Sequence, residues 1–267
     1  MQCMLARACA EIAGGVGVES WRVMLLARRL LASSLLAQTA ALSTTPAPKS
    51  IKLFYGDMPF WRAEVVRLAL FVGGVPFEDV RLKFGSDEAK AMKEEGKLTF
   101  GAIPVMEVDG KMLSQTQAMA VYAAKLAGCH PEDAWDAAKV DECINGCTDA
   151  TVTIGTTFRL PDEEKLPARE KLIAPDGRLT MHLGGLEKIC TENGSCGYAV
   201  GSSLTAADLA IWRLVGWISG GVIDGIPSDY VTSTFPSVAK LVETVDAHPK
   251  VVEWKEAHPH NYPAATK

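Results

Sequence analysis

Few side chains in this sequence have the type and the setting for chemistry. Tyr55 ends the short apolar alternation Ile51-Lys52-Leu53-Phe54-Tyr55, which puts a phenol, able to donate one hydrogen bond, at the end of a strand. The loop Gly56-Asp57-Met58-Pro59-Phe60-Trp61 then leads to Arg62. Gln115 and Thr116 open a helix, and the free N–H groups at a helix N-terminus make a ready anion site. As bare sequence, Ser114 or Thr116 is an N-cap and nothing more. Thr205 with Asp208 fits a capping box, whose role is stability rather than catalysis. Cys143 and Cys147 fall at i and i+4 on one helix, yet no His stands at ligand spacing beside them. They read as small buried apolar residues rather than as half of a zinc site. Trp212, Trp217 and Met181 read as core, and His248, His258 and His260 as C-terminal surface.

The elements that must hold these groups follow from periodicity and punctuation. The strand over residues 51–55 closes at Gly56-Asp57, and Pro59 suits the first turn of the next helix, where its missing N–H costs nothing. Val65, Val66, Leu68, Ala69, Leu70 and Val72 supply that helix's apolar side, and Gly73-Gly74 ends it. Residues 76–82 read as a second strand and 86–95 as a polar helix. Residues 103–108 and 111–113 make a hairpin across Asp109-Gly110, a strong turn dipeptide. A helix over 114–126 stops at Gly128. The order is βαβαββα: a strand-helix-strand unit gives a parallel pair, and the hairpin adds antiparallel strands to the same sheet. Beyond Pro131 no strand pattern occurs, and residues 135–158, 167–191, 206–220 and 237–258 read as helices between Pro- and Gly-bearing breaks.

Composition narrows the class. With 267 residues, 48% hydrophobic and 22% charged, the chain has ordinary globular proportions, which exclude long disorder, a collagen repeat and a disulfide-stapled mini-protein. The net charge of −5, with no long run of Lys and Arg, speaks against nucleic acid as a partner. Seven scattered cysteines do not make a complete disulfide framework, so a reducing compartment is expected. Residues 1–50 differ from the rest. Arg7, Arg22, Arg28, Arg29 and Lys49 outnumber Glu11 and Glu19, and no acidic residue lies between Met24 and Ser50, where hydroxyl residues cluster. Such a basic, hydroxyl-rich amphipathic leader has the composition of an organelle transit peptide. A gene-model extension and an anchor or secretory signal are the competing readings. Arg28 and Arg29 interrupt the apolar run, which falls short of the ~18 uncharged residues a spanning helix needs. Thr44-Thr45-Pro46-Ala47-Pro48 is the linker into the folded part.

From Ile51 to about Tyr262 the sequence resembles the cytosolic glutathione transferases, and among them the Tyr-type classes, sigma above all. Four stretches carry the resemblance: Lys52-Leu53-Phe54-Tyr55 with Arg62-Ala63-Glu64-Val65-Val66-Arg67-Leu68; the turn and hairpin from Phe100 through Ile103-Pro104 to Asp109-Gly110; Leu113-Ser114-Gln115-Thr116-Gln117-Ala118-Met119 running on to Tyr122; and Gly201-Ser202-Ser203-Leu204-Thr205-Ala206-Ala207-Asp208. The resemblance implies α/β plus all-α architecture. A leader over residues 1–50 would precede a thioredoxin-like glutathione-binding domain over 51–128 and an all-helical domain over 129–267 that carries the electrophile site.

It also implies a chemistry. Glutathione reacts as its thiolate, and a free thiol with pKa roughly 8.5 is mostly protonated at neutral pH. The hydroxyl of Tyr55 would stabilise that thiolate, with Arg62 adding positive charge and a link to Glu64. One residue more separates Tyr55 from Arg62 than in the family, which implies an insertion at Met58-Pro59-Phe60. This loop also looks like the Cys-Pro-Phe segment of glutaredoxins, but Met58 is a thioether and cannot form a mixed disulfide, leaving conjugation or isomerisation. Pro104 would be cis, turning the backbone of Ile103 toward the cysteinyl backbone of glutathione like an added strand. Gln115 and Thr116 would hold the γ-glutamyl carboxylate. On the second helix, where the family uses a Trp and a Lys, Lys90, Lys93 and Lys97 are available but no Trp occurs; Lys93 would take the glycyl carboxylate. Asp149 would reach the glutathione ammonium across a homodimer, while Asn145 and Thr148 stand where some sigma members carry carboxylates. The expected partners are therefore glutathione as co-substrate and a small hydrophobic electrophile, with no metal, nucleic acid or membrane. Location would be mitochondrion or plastid if the leader is real and cytoplasm otherwise. The rival from another class is a transferase-like protein that kept the fold and lost turnover, since fold does not imply function.

Overall fold

The computed structural model describes residues 47–83 and 85–262. The leader expected over residues 1–50 lies outside the described residues apart from 47–50. The first unit runs β1 (Ile51–Gly56), α1 (Trp61–Val72), β2 (Glu78–Leu82), α2 (Asp87–Glu94), β3 (Val105–Val108), β4 (Lys111–Ser114) and α3 (Thr116–Ala127), the expected βαβαββα order. Its sheet has the strand order β2-β1-β3-β4. β2 lies parallel to β1, with Tyr55 opposite Arg81; β3 and β4 are antiparallel, with Phe54 opposite Val105 and Val105 opposite Ser114. The Asp109-Gly110 turn takes positive φ at both residues, 47° and 80°, the geometry a tight two-residue hairpin requires. Ahead of β1, the backbone N–H groups of Lys49 and Ser50 both donate to Asp109 Oδ1 at 2.9 Å. The fold therefore takes hold of the chain slightly before Ile51.

The second unit is helical: α4 (Ala134–Gly155) passes into a 3-10 turn (Thr156–Arg159), then α5 (Asp162–Ile173), α6 (Arg178–Glu192), α7 (Ala206–Ile218), α8 (Tyr230–Thr234), α9 (Pro236–Asp246) and α10 (Pro249–Ala257). Two helices expected as single are each divided. The stretch from Pro167 becomes α5 and α6, separated at Ala174-Pro175-Asp176-Gly177, where an added Cβ on Gly177 would lie 2.2 Å from the Leu172 carbonyl oxygen. Pro167 sits inside α5, which begins earlier because Asp162, Glu163 and Glu164 suit the positive end of a helix. The last helix divides at His248, since Pro249 has no N–H to continue it. Pro59 likewise stays outside α1, whose N-cap is Phe60.

α1 is buried nearly all round, between the sheet and α7, as expected of a central core helix. Trp61 Nε1 donates to Thr151 Oγ1 of α4 at 2.7 Å, tying the two units together. Ile51, Leu53 and Tyr55 face this shared core, whereas Phe54 turns to the smaller cluster of Leu82, Met92 and Val105 under α2. α1 and α3 end so close together that a Cβ on Gly73 would lie 2.4 Å from that of Ala127. Cys143 and Cys147 are fully buried in the core, where desolvation raises both thiols. Thr205 and Asp208 close the expected capping box at α7. Asp208 is buried and accepts from Ala199 N (2.7 Å), Thr205 N (2.7 Å) and Thr205 Oγ1 (2.9 Å).

Candidate functional site

Strand register decides which residues share one end of the sheet. Because Phe54, Val105 and Ser114 lie abreast, the next residues outward are Tyr55 on β1, the Ile103-Pro104 turn before β3, and Gln115 after β4. The Ile103-Pro104 bond is cis, as expected. Gln115 takes the unusual backbone pair φ 74°, ψ 123° as the N-cap of α3, and its side chain makes no capping bond. It is exposed there, with Thr116 half-buried behind it. A phenol, a cis-proline turn with Ile103 half-buried and Pro104 buried, and a helix N-terminus thus stand at one end of one sheet.

Tyr55 itself is 6% exposed and packs in the core. Burial raises its phenol above the ordinary value, while Arg62 and Arg67 pull the other way. A hydroxyl in that setting keeps its proton and acts as a donor. The Arg67 guanidinium lies 6.0 Å from the Tyr55 ring centroid. Arg67 is the residue that sequence reasoning passed over. It is fully buried, and it donates to the Gly56 carbonyl (3.1 Å), the Met58 carbonyl (3.1 Å), Glu64 Oε2 (3.0 Å) and Asp79 Oδ1 (2.9 Å). A signal was present, since a charged residue set in the apolar run Val65-Val66-Arg67-Leu68-Ala69-Leu70 has to be buried and paired.

The expected link between Arg62 and Glu64 is therefore corrected. Glu64 is buried, and its carboxylate accepts from Arg67, Trp254 Nε1 (2.6 Å) and the Tyr262 hydroxyl (2.6 Å). Arg62 stays half-buried within electrostatic reach of Tyr55. Asp57, next in the loop, pairs with Arg81, and that guanidinium, together with hydrogen bonds from His260 and Asn261, holds its carboxyl well below the usual carboxylate range. Arg213 of α7 donates to the Pro59 carbonyl through Nε (2.9 Å) and Nη2 (2.6 Å).

Among the three lysines, Lys90 pairs with Asp87 and Lys97 with Glu95; among the described residues Lys93 alone has no carboxylate partner. Asp149 is exposed on α4, where its charge bears on His182 of α6. Against the β1–α1 loop opens a cleft of about 1110 Å³, walled by Met58, Pro59, Phe60, Trp217 and Tyr262 among others. Trp212 and Trp217 both line it, whereas Met181 is exposed on α6 rather than in the core. Among the described residues no cluster of His, Cys, Asp and Glu is arranged to hold a metal ion, and no helix is long and apolar enough to cross a membrane.

The fold defines the class: a thioredoxin-like unit followed by an all-helical unit. The profile of the glutathione S-transferase N-terminal domain matches residues 50–125, and that of the glutathione S-transferase C-terminal domain matches residues 148–258. Glutathione S-transferase A3 of Mus musculus is 31% identical over 189 residues, covering 68% of this chain and 84% of its own length. Glutathione S-transferase 1 of Ascaris suum is 31% identical over 221 residues, covering 78% of this chain and 96% of its own. Among solved structures, monomeric Na-GST-3 of Necator americanus, a glutathione S-transferase, aligns with a TM-score of 0.63 at 29% identity, over 82% of this chain and 99% of that one. This chain belongs to the glutathione S-transferase family.

Proposed function

We propose that the protein transfers the glutathione thiolate to small electrophiles, with the hydroxyl of Tyr55 donating to the sulfur and Arg62 adding positive charge. The observation that carries this is the register that sets Tyr55, the cis Ile103-Pro104 turn and the N-terminus of α3 at one sheet end. In this reading Ile103 pairs with the cysteinyl backbone through its N–H and C=O. Gln115 and Thr116 hold the γ-glutamyl carboxylate at the positive end of α3, and Lys93, without a carboxylate partner among the described residues, takes the glycyl carboxylate. The cleft beside Met58, Pro59 and Phe60 receives the electrophile; its 1110 Å³ exceeds what a small aromatic needs and admits bulky apolar substrates. Lipid peroxides, which the sigma-class likeness suggests for isomerisation, are of that kind.

Two features support a homodimer. Phe100 is 66% exposed in the loop before β3, and Met181 is 55% exposed beside a shallow groove between α4 and α6. Asp149, exposed on the same helix α4, would then meet the glutathione ammonium of a second copy. The leader would direct the protein to an organelle for detoxification there. A second reading, a protein that binds without turnover, draws on the burial of Tyr55 in the core. Retention on immobilised glutathione followed by a conjugation assay with a general aromatic electrophile separates them. Retention with turnover supports the transferase, retention without turnover supports the binding protein, and no retention defeats both.

A further inference from the structure

The residues joining β1 to α1 are held from several directions, and one of the holds comes from the far end of the chain. Arg67 takes the carbonyls of Gly56 and Met58, and Arg213 takes that of Pro59. The Asp57 carboxylate pairs with Arg81 and also accepts from Asn261 Nδ2 at 3.1 Å, with His260 Nε2 at the same distance. The C-terminal residues steady two of the arginines as well. The Tyr262 hydroxyl donates to Glu64 Oε1, the carboxylate whose other oxygen holds Arg67. The Tyr262 ring lies 5.2 Å from the Arg213 guanidinium and stacks with Trp212 at 6.0 Å. Within the loop itself the Met58 N–H bonds the Gly56 carbonyl at 2.9 Å, and the remaining holds come from outside it.

From these contacts we infer that residues 258–262 act as a strap over the β1–α1 loop, and that Asp57, His260, Asn261 and Tyr262 are positioning residues for Tyr55. The inference rests on the reading of Tyr55 as the thiolate donor. The strap works through the loop: Asp57 stands two residues from Tyr55, so a hold on Asp57 limits how far the end of β1 drifts. A donor displaced by a fraction of an ångström still binds the peptide but stabilises its sulfur less.

The test compares the double variant His260→Ala/Asn261→Ala, which releases Asp57 but keeps Tyr262, with Tyr262→Phe, which removes only the hydroxyl on Glu64. Tyr55→Phe and His260→Gln, which retains a donor, are run beside them in the full chain. The readouts are ultraviolet titration of the bound glutathione thiol, kcat, KM for glutathione, and thermal unfolding. In the double variant the thiol should titrate at higher pH and kcat at neutral pH should fall about tenfold. KM for glutathione should stay within about twofold, and His260→Gln, which keeps a donor toward Asp57, should retain most of the wild-type kcat. If the double variant titrates like wild type while Tyr55→Phe is shifted, the strap is overturned and the reading of Tyr55 stands. If Tyr55→Phe also titrates like wild type, both fall. Should the double variant not fold, Tyr262→Phe decides on the same titration.

Discussion

Tyr55 and Arg67 are neighbours with different duties, and substitution separates them. Burial raises the Tyr55 phenol above its ordinary value, so in the proposed role it would donate a hydrogen bond rather than carry a charge. Tyr55→Phe removes one hydrogen bond to a charged group, worth roughly 1.5–3 kcal/mol, or about one to two orders of magnitude in rate at neutral pH. Much of that deficit should return in alkaline assays, because the bound thiol then ionises unaided, while glutathione affinity changes little. Identical titration curves of the bound thiol in wild type and variant would remove Tyr55 from this role. Arg67 carries structure instead. Arg67→Met leaves the buried Glu64 without its guanidinium and Asp79 with one partner fewer. Losing one side of a buried ion pair costs about 3–5 kcal/mol, which denaturant unfolding would register as a lower midpoint. A variant as stable as wild type would show that Trp254 and Tyr262 suffice for Glu64.

At the scale of elements, the N-termini of α3 and α7 do opposite work. α3 begins at an N-cap Gln115 whose side chain makes no capping bond, which suits the proposed anion site. Gln115→Ala or Thr116→Ala should raise KM for glutathione several-fold and leave kcat near wild type, because a contact remote from the sulfur contributes equally to ground and transition states. A depressed kcat with KM unchanged would contradict that placement. α7 is instead closed internally by Thr205 and Asp208. Asp208→Asn puts an amide NH2 in place of one of the oxygens that accept from Ala199 and Thr205 and should cost about 1–3 kcal/mol. The pH dependence has a definite sign. Burial raises Asp208 from 3.8 to about 6, so the folded state binds a proton that the unfolded state releases. Its contribution to stability is largest at the acid end of that window and falls as pH rises through about 6. The stability gap between wild type and Asp208→Asn should narrow over the same interval, and a gap that widens would reverse the assignment.

For the whole molecule, the question is where the folded unit begins. The leader-like composition of residues 1–46 gives the core no apolar partner of its own pattern, so a chain starting at Pro48 should melt within a few degrees of the full one. A chain starting at Ile51 should melt lower, by about 1–2 kcal/mol, because Asp109 loses the N–H groups of Lys49 and Ser50. Calorimetry of the two truncations decides it. Equal melting would place the boundary at Ile51 after all, and collapse of both would make the leader part of the fold.

What the sequence determined by itself is what local pattern encodes. Alternation fixed β1, the apolar stripe fixed α1, Asp109-Gly110 fixed the hairpin, and Gly128 ended α3 in the left-handed region. Tyr55, Pro104, Gln115 and Thr116 were marked as candidates by the family resemblance rather than by local pattern, and each sits at an element boundary. The divided helices were less legible, since the apolar periodicity runs straight past Pro175 and Pro249. Tertiary structure alone decided the charge network around the loop. Asp57 meets His260 across a sequence separation of 203, and Glu64 meets Trp254 and Tyr262 across 190 and 198. A lone Asp or His in sequence carries no mark of its partner, because periodicity says which face is buried but not what packs there. Only the closing of α10 and the C-terminal residues over α1 brings those groups within hydrogen-bond reach.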